Sequence, residues 1–302
     1  MVLDIKIIFL GTSDSIPSAE RNHSAFLLNY KDEGILVDCG EGTQRQLRKA
    51  GINPCIITKL LITHWHGDHV LGIPGLLQTL AFSDYNKKLQ IYGPKGTKNF
   101  IKEMLNVFVF VNKINLEVHE TYKEGKFFEN QDFFIESKRM IHGIPCNAYC
   151  FIEKEKLRID KEKLKKHKIS EGAYLRELKN GKNIKYQGKT YSFKDLTYKT
   201  EGRKVCFVLD TNKNDKIVPF VKDADLLVIE SNFDSSMEKR AKEYHHMTSQ
   251  QCAEIAKKAK VKKLILTHIS NRYNKDFSVL LKEATKFFKN SELAKDLMEV
   301  KL

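Results

Sequence analysis

Along the chain, short apolar runs closed by turn residues alternate with stretches of helical length. Ile5 to Leu10 ends at Gly11-Thr12, His23 to Tyr30 follows, and Ile35 to Val37 stops at Asp38-Cys39-Gly40; all three are predicted strands. Gln44 to Ala50 is polar, helix-compatible and closed by Gly51. Strand and helix then alternate: Lys59 to Thr63, helix Leu71 to Phe82, strand Leu89 to Tyr92, helix Thr97 to Val107. Between 152 and 196 the pattern breaks, because apolar residues thin out, lysines crowd in, and Gly172, Gly181 and Gly188 punctuate the run. This stretch reads as an inserted arm within one domain of 1–302, since the alternation resumes beyond it. Lys204 to Leu209, Leu226 to Ile229 and Lys263 to Thr267 are predicted strands; Lys216 to Lys222, Ser249 to Lys260 and Phe277 to Lys289 are predicted helices. Thr248 with Gln251 forms a capping box for the Ser249 helix. Alternation of this kind predicts an α/β fold.

Charge sharpens the picture. The chain of 302 residues carries a formal net charge of +14, which favours an anionic partner. Half of it falls in residues 152–196, where 14 Lys and Arg face 7 Asp and Glu. No run approaches the roughly 18 apolar residues of a membrane span, and Met1 to Asp4 open no secretory leader, so the cytoplasm is the expected location. The cysteines, Cys39, Cys55, Cys146, Cys150, Cys206 and Cys252, are scattered without a CxxC pair and are expected to be free thiols.

The chemistry concentrates in Thr63-His64-Trp65-His66-Gly67-Asp68-His69, an H-x-H-x-D-H cluster directly after an apolar strand. Zinc takes imidazole nitrogen and carboxylate oxygen at about 2.0 to 2.2 Å and, at catalytic sites, leaves a position for water. A tight loop at a strand end aims successive residues to opposite sides, so one segment can serve two ions.

This motif resembles that of the metallo-β-lactamase superfamily, whose fold is a four-layer αβ/βα sandwich with metals at its strand ends. Three further residues stand where strands stop: His142 after Phe133 to Ile141, Asp210 after Val205 to Leu209, and His268 after Leu264 to Thr267. The resemblance implies two Zn²⁺ per chain, one held by His64, His66 and His142, the other by Asp68, His69 and His268, with Asp210 between them.

Within the superfamily the chain is similar to ribonuclease Z over residues 5–302. The segments that carry this are Phe9-Leu10-Gly11-Thr12-Ser13, Pro17 to Asn22, Asp38 to Gln44, Tyr92-Gly93-Pro94, His245 to Thr248 and Thr267 to Tyr273. Ala19 stands where the family commonly has a basic residue. The family resemblance implies a zinc-dependent endoribonuclease that removes the 3′ trailer from precursor tRNA by hydroxide attack after the discriminator nucleotide, leaving a 3′ hydroxyl and a trailer 5′ phosphate. It implies that Asp68 accepts the water proton and that His246, supported by Glu230, protonates the leaving oxygen. Arg272, Arg21, Asn22 and, in the flexible arm, Lys179 and Lys182 become candidate substrate contacts. Asp38 is expected to hydrogen-bond the metal loop, and a homodimer is implied. The competing readings are a small-molecule phosphodiesterase or other hydrolase of the same fold, and an RNA-binding protein with a vestigial metal site.

Overall fold

A computed structural model describes residues 4–109 and 114–302. Met1 to Leu3, on which the reading of the N-terminus rests, lie outside the described residues. The first half supplies β1 (Lys6–Gly11), β2 (Ala25–Tyr30), β3 (Glu33–Val37), β4 (Ile57–Leu61), β5 (Lys88–Gly93) and β6 (Asn115–Glu120). Then come β7 (Gly125–Glu129), β8 (Phe133–His142) and β9 (Ile144–Glu153). Four short strands follow: β10 (Lys156–Ile159), β11 (Ile184–Tyr186), β12 (Lys189–Tyr191) and β13 (Thr197–Thr200). The last part holds β14 (Lys204–Val208), β15 (Leu226–Glu230), β16 (Lys263–Thr267), β17 (Ser291–Leu293) and β18 (Glu299–Lys301).

Two seven-stranded sheets result, ordered β18-β1-β2-β3-β4-β5-β6 and β17-β16-β15-β14-β9-β8-β7. Their inner faces meet through large side chains: Phe26 of β2 lies 6.0 Å from Phe207 of β14, and the Tyr149 hydroxyl donates to the Ile62 carbonyl at 2.7 Å. The outer face of the first sheet packs Leu27, Leu36, Leu60 and Ile91 against Leu47, Leu76, Leu77 and Leu80 of helices Thr43–Lys49 and Ile73–Phe82. Helices Ser249–Lys258 and Ser278–Phe287 cover the second. With both faces covered, the central strands read as continuous apolar runs, not alternating ones. This is the αβ/βα sandwich expected of the sequence, and the capping box of Thr248 and Gln251 is formed.

Parallel pairing decides where chemistry can occur. β3, β4, β5 and β6 run parallel, as do β14, β15, β16 and β17. Their C-terminal ends therefore gather at one edge of each sheet, the place where open α/β sheets receive ligands.

Several expectations need adjustment. The helix expected over Leu71 to Phe82 begins at Ile73, after a separate turn of helix Gly67–Val70, and that of Lys216 to Lys222 shrinks to Ile217–Phe220. Cys150 and Cys206 are not free thiols but form a disulfide, because β9 and β14 are neighbours and bring together residues 56 apart in sequence. Cys39, Cys55, Cys146 and Cys252 are free.

Residues 129–134 and 152–203 form a compact unit of their own. It pairs β10 with β13 and β11 with β12. Its sparse apolar residues are gathered, not solvated: Leu164, Ile169, Leu175, Leu178, Ile184 and Leu196 make a small core. Its lysines stand on helices Lys161–Lys166, Leu175–Lys179 and Phe193–Leu196, on strands β10 to β13 and on the loops around them.

Candidate metal centre

Strand β4 stops at Leu61, and the chain turns through Thr63 into the short helix Gly67–Val70. Asp38, just past β3, holds this turn. Its Oδ1 accepts from Thr63 N at 2.7 Å; its Oδ2 accepts from Thr63 Oγ1 at 2.8 Å and from His69 Nδ1 at 2.6 Å. Gly40 lets the two loops touch, since a Cβ there would come within 2.4 Å of the Asp68 carbonyl oxygen.

Three residues at the strand ends adopt left-handed backbone, Asp38 (φ 57), Asp210 (φ 42) and His268 (φ 55). Asp and His tolerate this region better than most residues, yet each instance costs on the order of 1 to 3 kcal/mol, a cost characteristic of functional sites. The kink ends pairing within one residue and turns the side chain across the sheet edge.

Five imidazoles and two carboxylates converge there in two groups that share Asp210. In the first, His66 Nδ1 lies 3.1 Å from both His64 Nε2 and His142 Nε2, and Asp210 Oδ2 lies 3.6 and 3.8 Å from the same two nitrogens. In the second, Asp68 Oδ2 is 3.3 Å from both His69 Nε2 and His268 Nε2, which are 3.3 Å from each other. Asp210 Oδ1 sits 3.5 and 3.3 Å from those nitrogens. Donors placed tetrahedrally at about 2.1 Å from an ion are separated by about 3.4 Å, so both groups have the spacing of ligand sets.

Three of the rings are oriented by their outward nitrogen. Nδ1 of His69 is held by Asp38, that of His64 lies 3.0 Å from Thr63 Oγ1, and that of His142 donates to the His245 carbonyl at 3.2 Å. With Nδ1 protonated, Nε2 presents its lone pair to the cluster, the arrangement found behind metal-binding histidines. Asp210 Oδ1 is buried and has no hydrogen-bond partner. An orphaned carboxylate oxygen among imidazoles is expensive for a fold and natural for a cation ligand. The residues thus fit a metal pair, with Asp210 shared.

The electrostatics agree. Burial pushes the Asp210 and Asp68 carboxyls up, but neighbouring histidines, His268 and His69 for Asp210 and His69 and His268 for Asp68, overcome it and hold both well below the usual carboxylate range. Burial, reinforced by His69, drives His64 well below its ordinary value, so it stays neutral.

Beside the cluster stands His246, its ring 5.5 Å from His142 and 5.4 Å from His268. Its Nδ1 lies 2.9 Å from Oε2 of the fully buried Glu230, whose Oε1 accepts from Thr211 N at 2.5 Å. Burial lowers the imidazole pKa, but Glu230 outweighs it and carries His246 up to about 9.

The remaining sequence candidates fare differently. Arg21 turns inward, contrary to the expected substrate contact: it is buried, donates to Thr12 Oγ1 at 2.6 Å and the Ala294 carbonyl at 2.7 Å, and stacks on Phe277. Asn22 spends its amide on the Glu41 carbonyl at 2.6 Å. Both brace the loop after β1. Arg272 is exposed, lies over Phe233 and donates to Ser270 Oγ at 2.9 Å. Lys179 and Lys182 are exposed on the smaller unit, Lys182 paired with Glu177 at 3.4 Å. Sequence reasoning missed Asn232, whose amide lies 3.3 Å from His268 Nδ1, and the His245 carbonyl behind His142. Neither has a local sequence signal, since both act through the fold.

Residues 5–150 match the family model of the anti-Pycsar protein Apyc1, and 176–269 that of the β-lactamase superfamily domain. Ribonuclease Z of Bacillus cereus (strain B4264) is 40% identical, covering 97% of this chain and 98% of the relative; that of Bacillus thuringiensis (strain Al Hakam) gives the same values. The crystal structure of human tRNase Z, short form, superposes with a TM-score of 0.72 at 29% identity over 98% of each chain. A metallo-β-lactamase-fold protein of Bacillus subtilis, YhfI, gives 0.72 at 20% identity over 99% of this chain and 100% of its own, a likeness of fold.

Proposed function

Because the chain belongs to the ribonuclease Z family of metal-dependent phosphodiester hydrolases, we propose that it cuts precursor tRNA on the 3′ side of the discriminator nucleotide, using two zinc ions per chain. His64, His66 and His142 would hold one ion, Asp68, His69 and His268 the other, with Asp210 between. Such a pair would lower the pKa of a bound water and supply Lewis-acid stabilisation to the phosphodiester.

The protein's own groups do the rest. Asp38, Thr63 and the His245 carbonyl fix the imidazoles, so no reorganisation is needed as charge develops. The Asp68 carboxylate accepts the proton of the attacking water. His246, kept protonated at neutral pH by Glu230, gives its proton to the departing 3′ oxygen. The products are a tRNA 3′ hydroxyl and a trailer carrying the 5′ phosphate. The basic arm of residues 152–196, with Lys179 and Lys182, grips the tRNA body through phosphates, and Arg272 meets phosphate near the site. The enzyme works as a homodimer.

The observation that carries this reading is the His246–Glu230 pair beside the Asp210-centred cluster. Hydrolysis alone needs the cluster; a poor leaving group such as a ribose 3′ oxygen also needs an acid. Incubating the purified protein with a precursor tRNA, with and without chelator, tests it. A single chelator-sensitive cut after the discriminator is expected; scattered cuts or an intact precursor would refute it. Unchanged turnover of a small phosphodiester alongside an intact precursor would favour the small-molecule reading.

A further inference from the structure

Next to the metal centre lies a cleft of about 270 Å³ that the mechanism leaves unused. Its walls include Pro94, Lys95, Tyr122, Arg139, Pro145 and Asn147. It is built onto the cluster from three directions. Asn147 N donates to the carbonyl of Thr63, the residue before His64, at 2.9 Å. Met140, also in the wall, precedes His142 by two positions on β8, about 7 Å along a strand. Trp65, between His64 and His66, donates to Thr97 Oγ1 at 2.9 Å, and that hydroxyl donates to the Pro94 carbonyl at 2.7 Å.

The cleft has a defined side. Its loops follow β5 and β6, outward of the β4 metal loop in the first sheet, and flank the β8–β9 turn in the second. His246 and Glu230 stand on the opposite side, at β15, across β14 and its Asp210. A chain whose leaving oxygen faces His246 and whose phosphorus lies over the cluster continues towards the cleft. The part that continues keeps the phosphate, and that is the trailer.

Its chemistry suits a nucleotide. Lys95 and Arg139 are exposed cations with no carboxylate partner among the described residues. The nearby acids are engaged: Glu120 accepts from the Tyr122 hydroxyl and from Gly96 N and Lys98 N, and Glu124 pairs with Lys138 at 2.6 Å. Tyr122 is pinned at both ends, by Glu120 at its hydroxyl and by the Arg139 guanidinium at its carbonyl, yet 55% exposed. A fixed, exposed ring beside two cations without carboxylate partners is the arrangement that stacks a base and neutralises its phosphate in single-stranded nucleic acid.

We propose that this cleft binds the RNA on the 3′ side of the cut, with the phosphate between the first and second trailer nucleotides on Lys95 and Arg139 and the first trailer base against Tyr122. The proposal rests on the ribonuclease reading and adds a subsite to it.

The test uses precursor tRNAs in which that one linkage is a neutral methylphosphonate. In the wild-type protein the substitution lowers kcat/KM about tenfold, chiefly through KM, the loss expected for a charged hydrogen bond. In K95A/R139A the same neutral linkage costs less than about twofold, because the partner cations are already gone; Lys95→Arg retains the penalty. Equal penalties in wild type and double variant, or none in wild type, overturn the proposal. Failure of the ribonuclease reading shows itself separately, as no cleavage of any precursor by the wild type. In that event 5′-phosphorylated diribonucleotides, charged and methylphosphonate, are compared as inhibitors of bis(p-nitrophenyl) phosphate hydrolysis. A charge preference that disappears in K95A/R139A supports the cleft, and one that persists overturns it.

Discussion

His246 is subject to two opposed effects, burial that disfavours its charge and the Glu230 carboxylate 2.9 Å away that favours it, and the second prevails. In its proposed role as the acid it would act while protonated, so activity is expected to fall as pH rises through about 9. Glu230→Gln removes the stabilising charge, and a pH–rate profile should show the alkaline limb move to lower pH. The same pair contributes stability that is fully present below the ordinary imidazole value of about 6.5 and is lost as pH rises through about 9. His246→Ala should cost roughly 10²- to 10⁴-fold in precursor cleavage, with metal content unchanged. Asp38 acts differently, since it touches Thr63 and His69 and not the reacting atoms. Asp38→Asn should weaken metal affinity about 10- to 100-fold in chelator competition.

At the scale of elements, the centre depends on parallel strands ending in step and on left-handed residues that turn Asp210 and His268 inward. The β4 loop was legible in the sequence because its candidate ligands are contiguous, and each remaining ligand stood at the end of an apolar run. The division of the ligands into two groups was legible only through family resemblance, and it remains a proposal that the donor groups around Asp210 follow it. Other features had no local signature. The disulfide of Cys150 and Cys206 follows from β9 lying beside β14, and the inward turn of Arg21 follows from Phe277 and Ala294 far along the chain. Apolar residues looked thin in the arm because the six that are buried there are spread over some thirty positions. Leu178 is fully buried there, and Leu178→Ala should cost about 2 to 5 kcal/mol of that unit's stability, read as faster proteolysis between residues 152 and 203.

For the whole molecule, the net charge of +14 favours a polyanionic partner, while the candidate chemistry lies at the sandwich edge. These contributions are separable by salt. Each phosphate neutralised adds roughly 0.7 to 0.9 to the slope of log affinity against log salt. Replacing both Lys179 and Lys182 with alanine should therefore flatten the slope for precursor tRNA by about 1.5 while metal binding stays intact. No helix among the described residues is long and apolar enough to cross a membrane. The account depends above all on two cations sharing Asp210. Anomalous diffraction from crystals of the zinc-loaded protein, recorded on both sides of the zinc edge, tests this directly. Two peaks are expected, one among His64, His66, His142 and Asp210, the other among Asp68, His69, His268 and Asp210. A single peak, or zinc bound away from Asp210, would contradict it.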